Sequence, residues 1–380
     1  MTPKDMLTNP YFCPMPWSGM MYNFNGEVKN CIRSAGKLGN IKEQPIQQIL
    51  VDNNQPRQNH IVNQQPVATC HTCYDLEGSN KGFNIISDRV FYIRELKHTP
   101  TSLYTPGNFN LQAIDVRWTN LCNFACVYCG PMFSSKWASE LKVVQHGPTT
   151  EQIDQFKQYV FEHAAQLKHV YLAGGEPLLM KENLELLMLL KKVNPSVNLR
   201  INTNLSKVDT RVFDLVCGFE NVHWTVSVET VEQEFEYIRY GSSWTDFQEN
   251  LTTIKMLDHK ISFNMLHFLL NYQSIFGCVD YLKTLGFHNN SFIIGALLDP
   301  EYLNVRHLPD HVLHLLKHTL EQKINQQPKY LLEQSYRNML SYLNQPFEKN
   351  LAGAIEKLQM LDQRRSLDSK TIFQNLYNLI

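Results

Sequence analysis

Three cysteines that lie close together carry the clearest chemistry in this chain. Cys122, Cys126 and Cys129 fall in the run WTNLCNFACVYCG, with the spacing Cys-x3-Cys-x2-Cys. Three thiolates can hold three irons of a four-iron cluster and leave the fourth iron open to bind and reduce a ligand. A zinc site is the alternative, although three cysteines in this run leave its fourth ligand unassigned. The spacing favours an iron–sulfur cluster with one open position.

A second group of cysteines lies near the N-terminus and consists of Cys13, Cys31, Cys70 and Cys73. Four thiolates suit either a zinc ion or a fully ligated four-iron cluster. Asn25 and Gly26 predict a hairpin turn that would bring two strands, and the first two cysteines, together. Cys217 and Cys278 lie in apolar helical surroundings, so we expect them to be buried core thiols.

The composition is that of an ordinary globular protein. The chain has 380 residues, of which 43% are hydrophobic, and a formal net charge of −1. A charge near zero predicts no general binding to nucleic acid or to an anionic membrane. The N-terminus does not read as a signal peptide, and no run of apolar residues is long enough to span a membrane. We therefore expect a cytoplasmic protein, without membrane partners, whose grouped cysteines bind metal.

The elements that would position these residues alternate between strand and helix from about residue 111. Strands are predicted at 113–119, 169–173, 198–203, 223–228, 262–269 and 291–297, with amphipathic helices between them. Repeated βα units predict an α/β fold with a parallel sheet. Six such units suit a partial (β/α)6 TIM-like barrel better than a full eightfold one. A doubly wound sheet is the alternative that periodicity does not exclude.

The chain divides into three predicted domains. Residues 1–108 form a small cysteine-rich domain, in which Ile46, Ile49 and Leu50 recur at the spacing of a short helix. Residues 109–300 form the strand–helix core. Residues 301–380 read as a helical C-terminal extension that carries no chemical motif.

Polar and glycine-rich turns follow the predicted strands. Leu172-Ala173 leads into a Gly-Gly-Glu-Pro run after the second strand, and two glycines let the backbone approach a ligand closely. The third strand ends near Asn204. Ser227 and Glu229 end the fourth strand on one side, because side chains alternate along a strand. In a βα barrel these strand ends lie on the same rim as the cysteine loop.

The cysteine spacing, with Tyr128 directly before Cys129, and the Gly-Gly-Glu-Pro run one βα unit later together resemble the radical SAM superfamily. The resemblance implies an enzyme that reductively cleaves S-adenosylmethionine at a [4Fe–4S] cluster ligated by the triad. The 5′-deoxyadenosyl radical then abstracts hydrogen from a substrate, and no catalytic residue of the protein is assigned. The resemblance also implies the cofactor-binding residues, which are Tyr128, Gly174, Gly175, Glu176, Pro177, Asn204, Ser227, Glu229 and Arg239.

Particular roles follow from the same resemblance. The Gly-Gly-Glu-Pro run is expected at the amino group of S-adenosylmethionine, and Ser227 and Glu229 at its ribose or its carboxylate. Arg239 is a candidate partner for that carboxylate because a guanidinium suits it; a surface helix arginine is the alternative.

The N-terminal cysteines resemble the auxiliary-cluster module called twitch, a shortened SPASM domain, although that module usually follows the barrel. The resemblance implies a second [4Fe–4S] cluster held by Cys13, Cys31, Cys70 and Cys73, with zinc as the alternative. Enzymes with this module often modify peptides, so a peptide or protein is the expected substrate. An electron donor such as flavodoxin or ferredoxin is the expected partner. The alternatives are a small metabolite as substrate, such as a nucleotide or sugar, or a non-catalytic iron–sulfur or zinc protein.

Overall fold

The computed structural model describes residues 8–79, 87–326 and 331–379. Its strands are β1 (Gly19–Asn23), β2 (Glu27–Lys29), β3 (Gly39–Asn40), β4 (Ala113–Arg117), β5 (His169–Leu172), β6 (Asn198–Thr203), β7 (Val222–Ser227), β8 (Lys260–His267) and β9 (Phe292–Ala296). The six strands from β4 onward confirm the six predicted ones, with ends shifted by one to two residues.

Helices fill the spaces between these strands. In the first half of the chain they are α1 (Met15–Ser18), α2 (Ile46–Val51), α3 (Gln55–Val62), α4 (His71–Ser79), α5 (Asp88–Glu95), α6 (Ser135–Leu141), α7 (Thr150–Glu162) and α8 (Lys181–Val193). Beyond them are α9 (Arg211–Cys217), α10 (Glu232–Ile238), α11 (Trp244–Lys255), α12 (Ser274–Thr284), α13 (Asp310–Gln326), α14 (Leu331–Leu343), α15 (Leu351–Arg365), α16 (Ser369–Ile372) and α17 (Gln374–Tyr377).

The chain forms two compact units. The first unit comprises Met1–Leu121, Val144–Asn202 and Asp209–His223, and the second unit comprises Cys122–Val143, Thr203–Val208 and Trp224–Ile380. The domain boundaries after residues 108 and 300 stay predictions.

In the first unit a single sheet runs in the order β3-β2-β1-β4-β5-β6. Strands β1 and β2 are antiparallel and are joined by the predicted turn, where Gly26 has a φ of +89°. Strand β1 then pairs in parallel with β4, so the N-terminal strands extend the sheet of βα units. The sequence predicted this hairpin but not its place in the sheet, because the first four residues of β1 are all buried and show no alternation of polar and apolar positions.

The two faces of this sheet differ in polarity. One face carries buried aliphatic side chains, namely Ile114, Val116, Val170, Leu172, Leu199 and Ile201. On the opposite face Asp115 of β4 lies in register with Tyr171 of β5, and Tyr171 lies in register with Arg200 of β6. Parallel sheets are usually apolar on both faces, so a charged row marks this face as one that meets polar groups.

In the second unit β7, β8 and β9 are neighbours, and β8 and β9 are parallel. Strand β9 packs against α14, where the Ser335 hydroxyl accepts a hydrogen bond from the Ile294 amide at 3.0 Å. The three long helices α13, α14 and α15 confirm the predicted helical extension. From β4 onward the strand neighbours in each unit follow chain order, as in a partial barrel, whereas a doubly wound sheet reverses its order at a switch point. The α/β fold prediction is confirmed.

No helix in the described part of the chain combines the length and the apolar character needed to cross a membrane.

Candidate cluster and cofactor site

The loop of the cysteine triad is fixed by the first turn of α6. Ser134 caps this helix by accepting a hydrogen bond from the Trp137 amide, and its hydroxyl donates to the Phe124 carbonyl at 2.6 Å. The Trp137 indole donates to the Cys126 carbonyl at 2.7 Å. Ser135 accepts from the Cys122 amide at 3.1 Å. These hydrogen bonds of Ser134, Ser135 and Trp137 hold the shape of the loop.

The thiols of this loop lie in a low-dielectric environment. Burial raises the pKa of Cys126 to about 12, and burial also raises the pKa of Cys129. The Phe124 amide and the Asn204 side chain donate toward the Cys122 sulfur at 3.5 and 3.8 Å. Iron displaces the thiol protons when it binds. Part-buried sulfurs with nearby N–H donors fit a cluster held by thiolates.

A buried charge network lies beside the triad in the second unit. Arg239 donates to Glu229 through Nε at 2.8 Å and through Nη2 at 2.7 Å, and both residues are only 2% exposed. Tyr128 donates to Glu229 Oε1 at 3.0 Å. The backbone brings these groups together, because the amides of Ala125 and Val127 donate to carbonyls on either side of Arg239.

The ionisation of the network is set by its partners. Burial alone would lower the pKa of Arg239, but the adjacent Glu229 carboxylate raises it above its ordinary value. Burial also raises the pKa of Tyr128, so its hydroxyl stays protonated as a donor. The structure thus pairs Glu229 and Arg239 with each other in the interior. Arg239 is not a surface residue, and this network positions Tyr128 and the cluster loop.

Other predicted binding residues of the second unit lie around the same loop. The Asn204 amide donates to Asn123 Oδ1 at 3.2 Å as well as toward Cys122. Ser227 is half-buried at the C-terminal end of β7. Asn271, a further candidate that follows the fifth predicted strand, is fully buried and donates to the Glu229 carbonyl at 3.1 Å. Its signal in the sequence was a polar residue shortly after a strand.

The Gly-Gly-Glu-Pro turn is built in the first unit, after β5. The Glu176 amide donates at 2.7 Å to the carbonyl of Leu121, the residue before Cys122. A Cβ on Gly175 would lie 2.2 Å from that carbonyl oxygen, so only glycine fits. The Glu176 carboxylate is buried and accepts from the Leu178 amide, and Pro177 begins the short helical turn that follows. Gly174 has a φ of +114°, which also favours glycine. The backbone of this turn, rather than the Glu176 side chain, is therefore the part offered to a ligand.

The polar face of the first unit's sheet begins at this turn. A Cβ on Gly174 would lie 3.2 Å from the Cβ of Arg117. Arg117 forms an ion pair with Asp115 at 3.0 Å, and the Arg200 guanidinium lies over the Tyr171 ring at 5.4 Å. Burial raises the pKa of Asp115 to about 6, against the opposing effect of the two arginines. This face can bind polar or anionic groups.

The four N-terminal cysteines share one neighbourhood in the first unit. Burial raises the pKa of Cys13, and the nearby thiols of Cys31 and Cys70 raise it further. Burial likewise raises the pKa of Cys31 to about 12, and burial raises the pKa of Cys73, which the Arg89 backbone amide partly offsets. Such a buried thiol set with N–H donors fits an iron–sulfur cluster.

Within residues 8–79, 87–326 and 331–379, no three or more His, Cys, Asp or Glu side chains are grouped closely enough to hold a metal ion.

Two family models match parts of this chain, and two curated proteins resemble it. The model of the radical SAM superfamily matches residues 116–282, and a model described as an iron–sulfur cluster-binding domain, SPASM, matches residues 13–74. The GTP 3′,8-cyclase of Campylobacter lari is 22% identical over 120 residues, which are 31% of this chain and 35% of that protein. The GTP 3′,8-cyclase of Nautilia profundicola is 29% identical over 91 residues, 24% of this chain and 27% of that protein. The chain thus spans about a third or less of the length of these curated relatives.

Solved structures give a weaker likeness. Native anSMEcpe with bound AdoMet has a TM-score of 0.41 and 17% identity, and the match covers 56% of this chain and 61% of that one. Streptococcus suis SuiB bound to precursor peptide SuiA has a TM-score of 0.42 and 13% identity, with 77% and 67% covered. Likeness at this level carries no argument about the ligand or substrate of the present chain.

Proposed function

This chain is a radical SAM superfamily enzyme with an auxiliary iron–sulfur domain at its N-terminus, and we propose that it abstracts hydrogen from a peptide or protein substrate. The cofactors of this class are a [4Fe–4S] cluster and S-adenosylmethionine, whose one-electron cleavage supplies a 5′-deoxyadenosyl radical. The protein's own part is to bind, orient and shield the reacting groups. A non-catalytic metal protein is set aside because the chain carries the radical SAM domain.

The observation that carries the proposal is the connection between the two motifs. Glu176 of the glycine turn bonds to Leu121, and the next residue is the first cysteine of the triad. Cys122, Cys126 and Cys129 would hold the cluster, since their three thiols are part-buried in one short loop. This bond holds the backbone of the glycine turn against the residue that precedes the triad in the chain.

The binding roles follow from what each group offers. The part-buried main chain of Gly174 and Gly175 would hold the amino group of S-adenosylmethionine. Asn204 and Ser227 offer a side-chain amide and a hydroxyl for its carboxylate or ribose. Glu229 and Arg239 satisfy each other, so their proposed role is to orient Tyr128 and the backbone of the cluster loop.

The N-terminal cysteines are proposed as ligands of the second cluster. The iron–sulfur domain model covers Cys13, Cys31, Cys70 and Cys73 together. Full ligation by four thiolates would leave that cluster without an open position, which suits electron relay or ordering of the substrate.

The SPASM domain supports a peptide substrate, because enzymes that carry this module often modify peptides. A nucleotide is the second candidate, and one observation favours it. Arg117 and Arg200 place two guanidinium groups on the polar face of the sheet, and guanidinium binds phosphate well. The weak similarity to two GTP 3′,8-cyclases points in the same direction.

Cleavage of S-adenosylmethionine tests the reaction class. The chain is reconstituted anaerobically with iron and sulfide, reduced with dithionite and assayed for 5′-deoxyadenosine by chromatography. Cys126→Ala is expected to abolish the product, whereas Cys217→Ala, a cysteine on α9 outside both groups, is expected to retain it. Product formation that survives Cys126→Ala would contradict the assignment of the triad.

The substrate class is tested by following the abstracted hydrogen. The enzyme is incubated with deuterated GTP or with a deuterated peptide fraction from cells grown in heavy water. Mass spectrometry of 5′-deoxyadenosine then shows which pool donates deuterium. Deuterium from the peptide fraction supports the leading proposal, and deuterium from GTP replaces it with the second.

A further inference from the structure

A cavity of about 510 Å³ opens in the second unit beside the first cysteine of the triad. Helix α6 forms one wall, and the last turn of α15 from the C-terminal extension forms another. The residues that matter here are Cys122, Lys136, Glu140, Tyr240, Arg364 and Arg365. A cluster ligand thus lines a cavity whose other walls are charged.

The charge on these walls is predominantly positive. Arg365 is buried, lies over the Tyr240 ring at 4.4 Å and pairs with Glu140 at 3.0 Å. The negative charge of Glu140 compensates the positive charge of Arg365. The positive charges of Lys136 and Arg364 are then in excess. Arg364 lies 3.7 Å from Glu140 with its side chain 41% exposed, and Lys136 lies 5.1 Å from the centre of the Tyr240 ring. The whole chain has a net charge of −1, so this positive surface is a local feature.

Apolar side chains are exposed at both ends of α6. Met132 and Phe133 precede the helix, and Leu141 and Val143 lie at its end, with exposures between 38 and 47%. Cations beside a small exposed apolar area are suited to a weak, electrostatically steered protein complex. Electron-transfer encounters have this character, with small interfaces and a strong dependence on salt.

We propose that this cationic surface, defined by Lys136 and Arg364 at the cavity beside Cys122, docks an acidic electron-transfer protein that carries a reduced flavin. The inference rests on the proposed function, because cleavage of S-adenosylmethionine consumes one electron. The flavin of the donor loses that electron, and no atom passes between the two proteins. Docking here brings the donor against the wall that Cys122 lines, so the electron enters on the side of that ligand. Acidic groups on the donor are opposite in charge to Lys136 and Arg364, and attraction between them raises the rate of encounter.

The first test is binding, measured without any need for turnover. Isothermal titration calorimetry of oxidised, acidic flavodoxin into the chain gives the Kd at low and at high ionic strength. Lys136→Glu combined with Arg364→Glu is expected to weaken binding about tenfold or more at low salt, and the difference is expected to shrink at high salt. Lys192→Glu is the matched control, since Lys192 is an exposed lysine on α8 outside this cavity. Arg364→Gln is a milder variant in case double reversal disturbs folding.

The second test separates the docking surface from the chemistry. Formation of 5′-deoxyadenosine is driven either by reduced flavodoxin or by dithionite, which needs no docking. The reversal variants are expected to lose the flavodoxin-driven rate and to keep the dithionite-driven rate. Equal flavodoxin binding and equal flavodoxin-driven rates in the wild type and the variants would overturn the proposal. Binding of a small anion in the cavity, with inorganic phosphate as the probe, together with no binding of flavodoxin, would also overturn it. If dithionite produces no 5′-deoxyadenosine in the wild type, the proposed function fails, and the calorimetry still decides the docking surface.

Discussion

Replacing Glu229 by glutamine removes the negative charge from a pair whose two members are each 2% exposed. The Arg239 guanidinium would then remain charged in the interior without its counter-charge. The NH2 group of the new glutamine would also face the donor groups of Arg239 or Tyr128, with which it cannot form a hydrogen bond as an acceptor. Glu229 currently accepts from both Arg239 and Tyr128 at 2.7 to 3.0 Å. Breaking a buried pair by removing one partner costs about 3–5 kcal/mol. This is a third or more of the stability of a typical domain.

The matched control is Glu333→Gln on α14. Glu333 also accepts two hydrogen bonds from one arginine, at 2.9 and 2.7 Å, but the side chain of that partner, Arg337, is 41% exposed. Water therefore solvates the charge that the substitution leaves behind, and the expected loss is about 0–1 kcal/mol.

Urea denaturation followed by circular dichroism measures both losses in the free energy of unfolding. The double variant Glu229→Gln/Arg239→Gln removes both charges, so its loss is expected to be smaller than the sum of the two single losses by about 2 kcal/mol. If Glu229→Gln loses no more stability than Glu333→Gln, burial does not raise the cost of breaking the pair. If the losses of the two single variants add up to that of the double variant, Glu229 and Arg239 do not stabilise each other directly.

Three further predictions follow from single positions. Gly175→Ala places a Cβ against the Leu121 carbonyl, so it is expected to destabilise the fold by about 1–3 kcal/mol in urea denaturation and to weaken calorimetric binding of S-adenosylmethionine; Gly277→Ala, in open space on α12, is the control that should do neither. Burial lowers the pKa of His267 to about 4, so wild type should lose about 2 kcal/mol of stability between pH 7 and 5 that His267→Gln does not lose, and equal losses would count against it. Burial raises the pKa of Asp115 to about 6, which penalises the charged form as pH rises above 4; Asp115→Asn should therefore gain about 2 kcal/mol relative to wild type between pH 4 and 7, and a pH-independent difference would contradict this.

Local signals in the sequence predicted the strands and the motif-bearing turns. The six core strands were predictable because short β-rich runs alternate with helical periodicity over βα repeats. The hairpin at Gly26 was predictable because Asn-Gly favours a turn with positive φ. The glycine turn at Gly175 was predictable as a close approach, and the structure identifies the Leu121 carbonyl as the group approached.

Long-range pairings were beyond the reach of these signals. The parallel pairing of β1 with β4 joins segments about ninety residues apart in the chain, and no local pattern specifies it. The same limit applies to Arg239. The sequence suggested that it binds the carboxylate of S-adenosylmethionine, but did not predict that its side chain is buried. Its position among Glu229, Tyr128 and the cluster loop depends on how the backbone folds around all three. The charged cavity beside Cys122 was equally hidden, because α6 and α15 are more than two hundred residues apart.

The central claim is that the triad holds a cluster with an open iron to which S-adenosylmethionine binds. Electron–nuclear double resonance of the reduced, reconstituted chain tests it most directly, with S-adenosylmethionine labelled by ¹⁵N at the amino group and ¹⁷O at the carboxylate. We expect hyperfine coupling from both labels in the wild type and no coupling in Cys126→Ala. If the reduced cluster of the wild type shows no coupling to either label, S-adenosylmethionine does not bind to an open iron of this cluster.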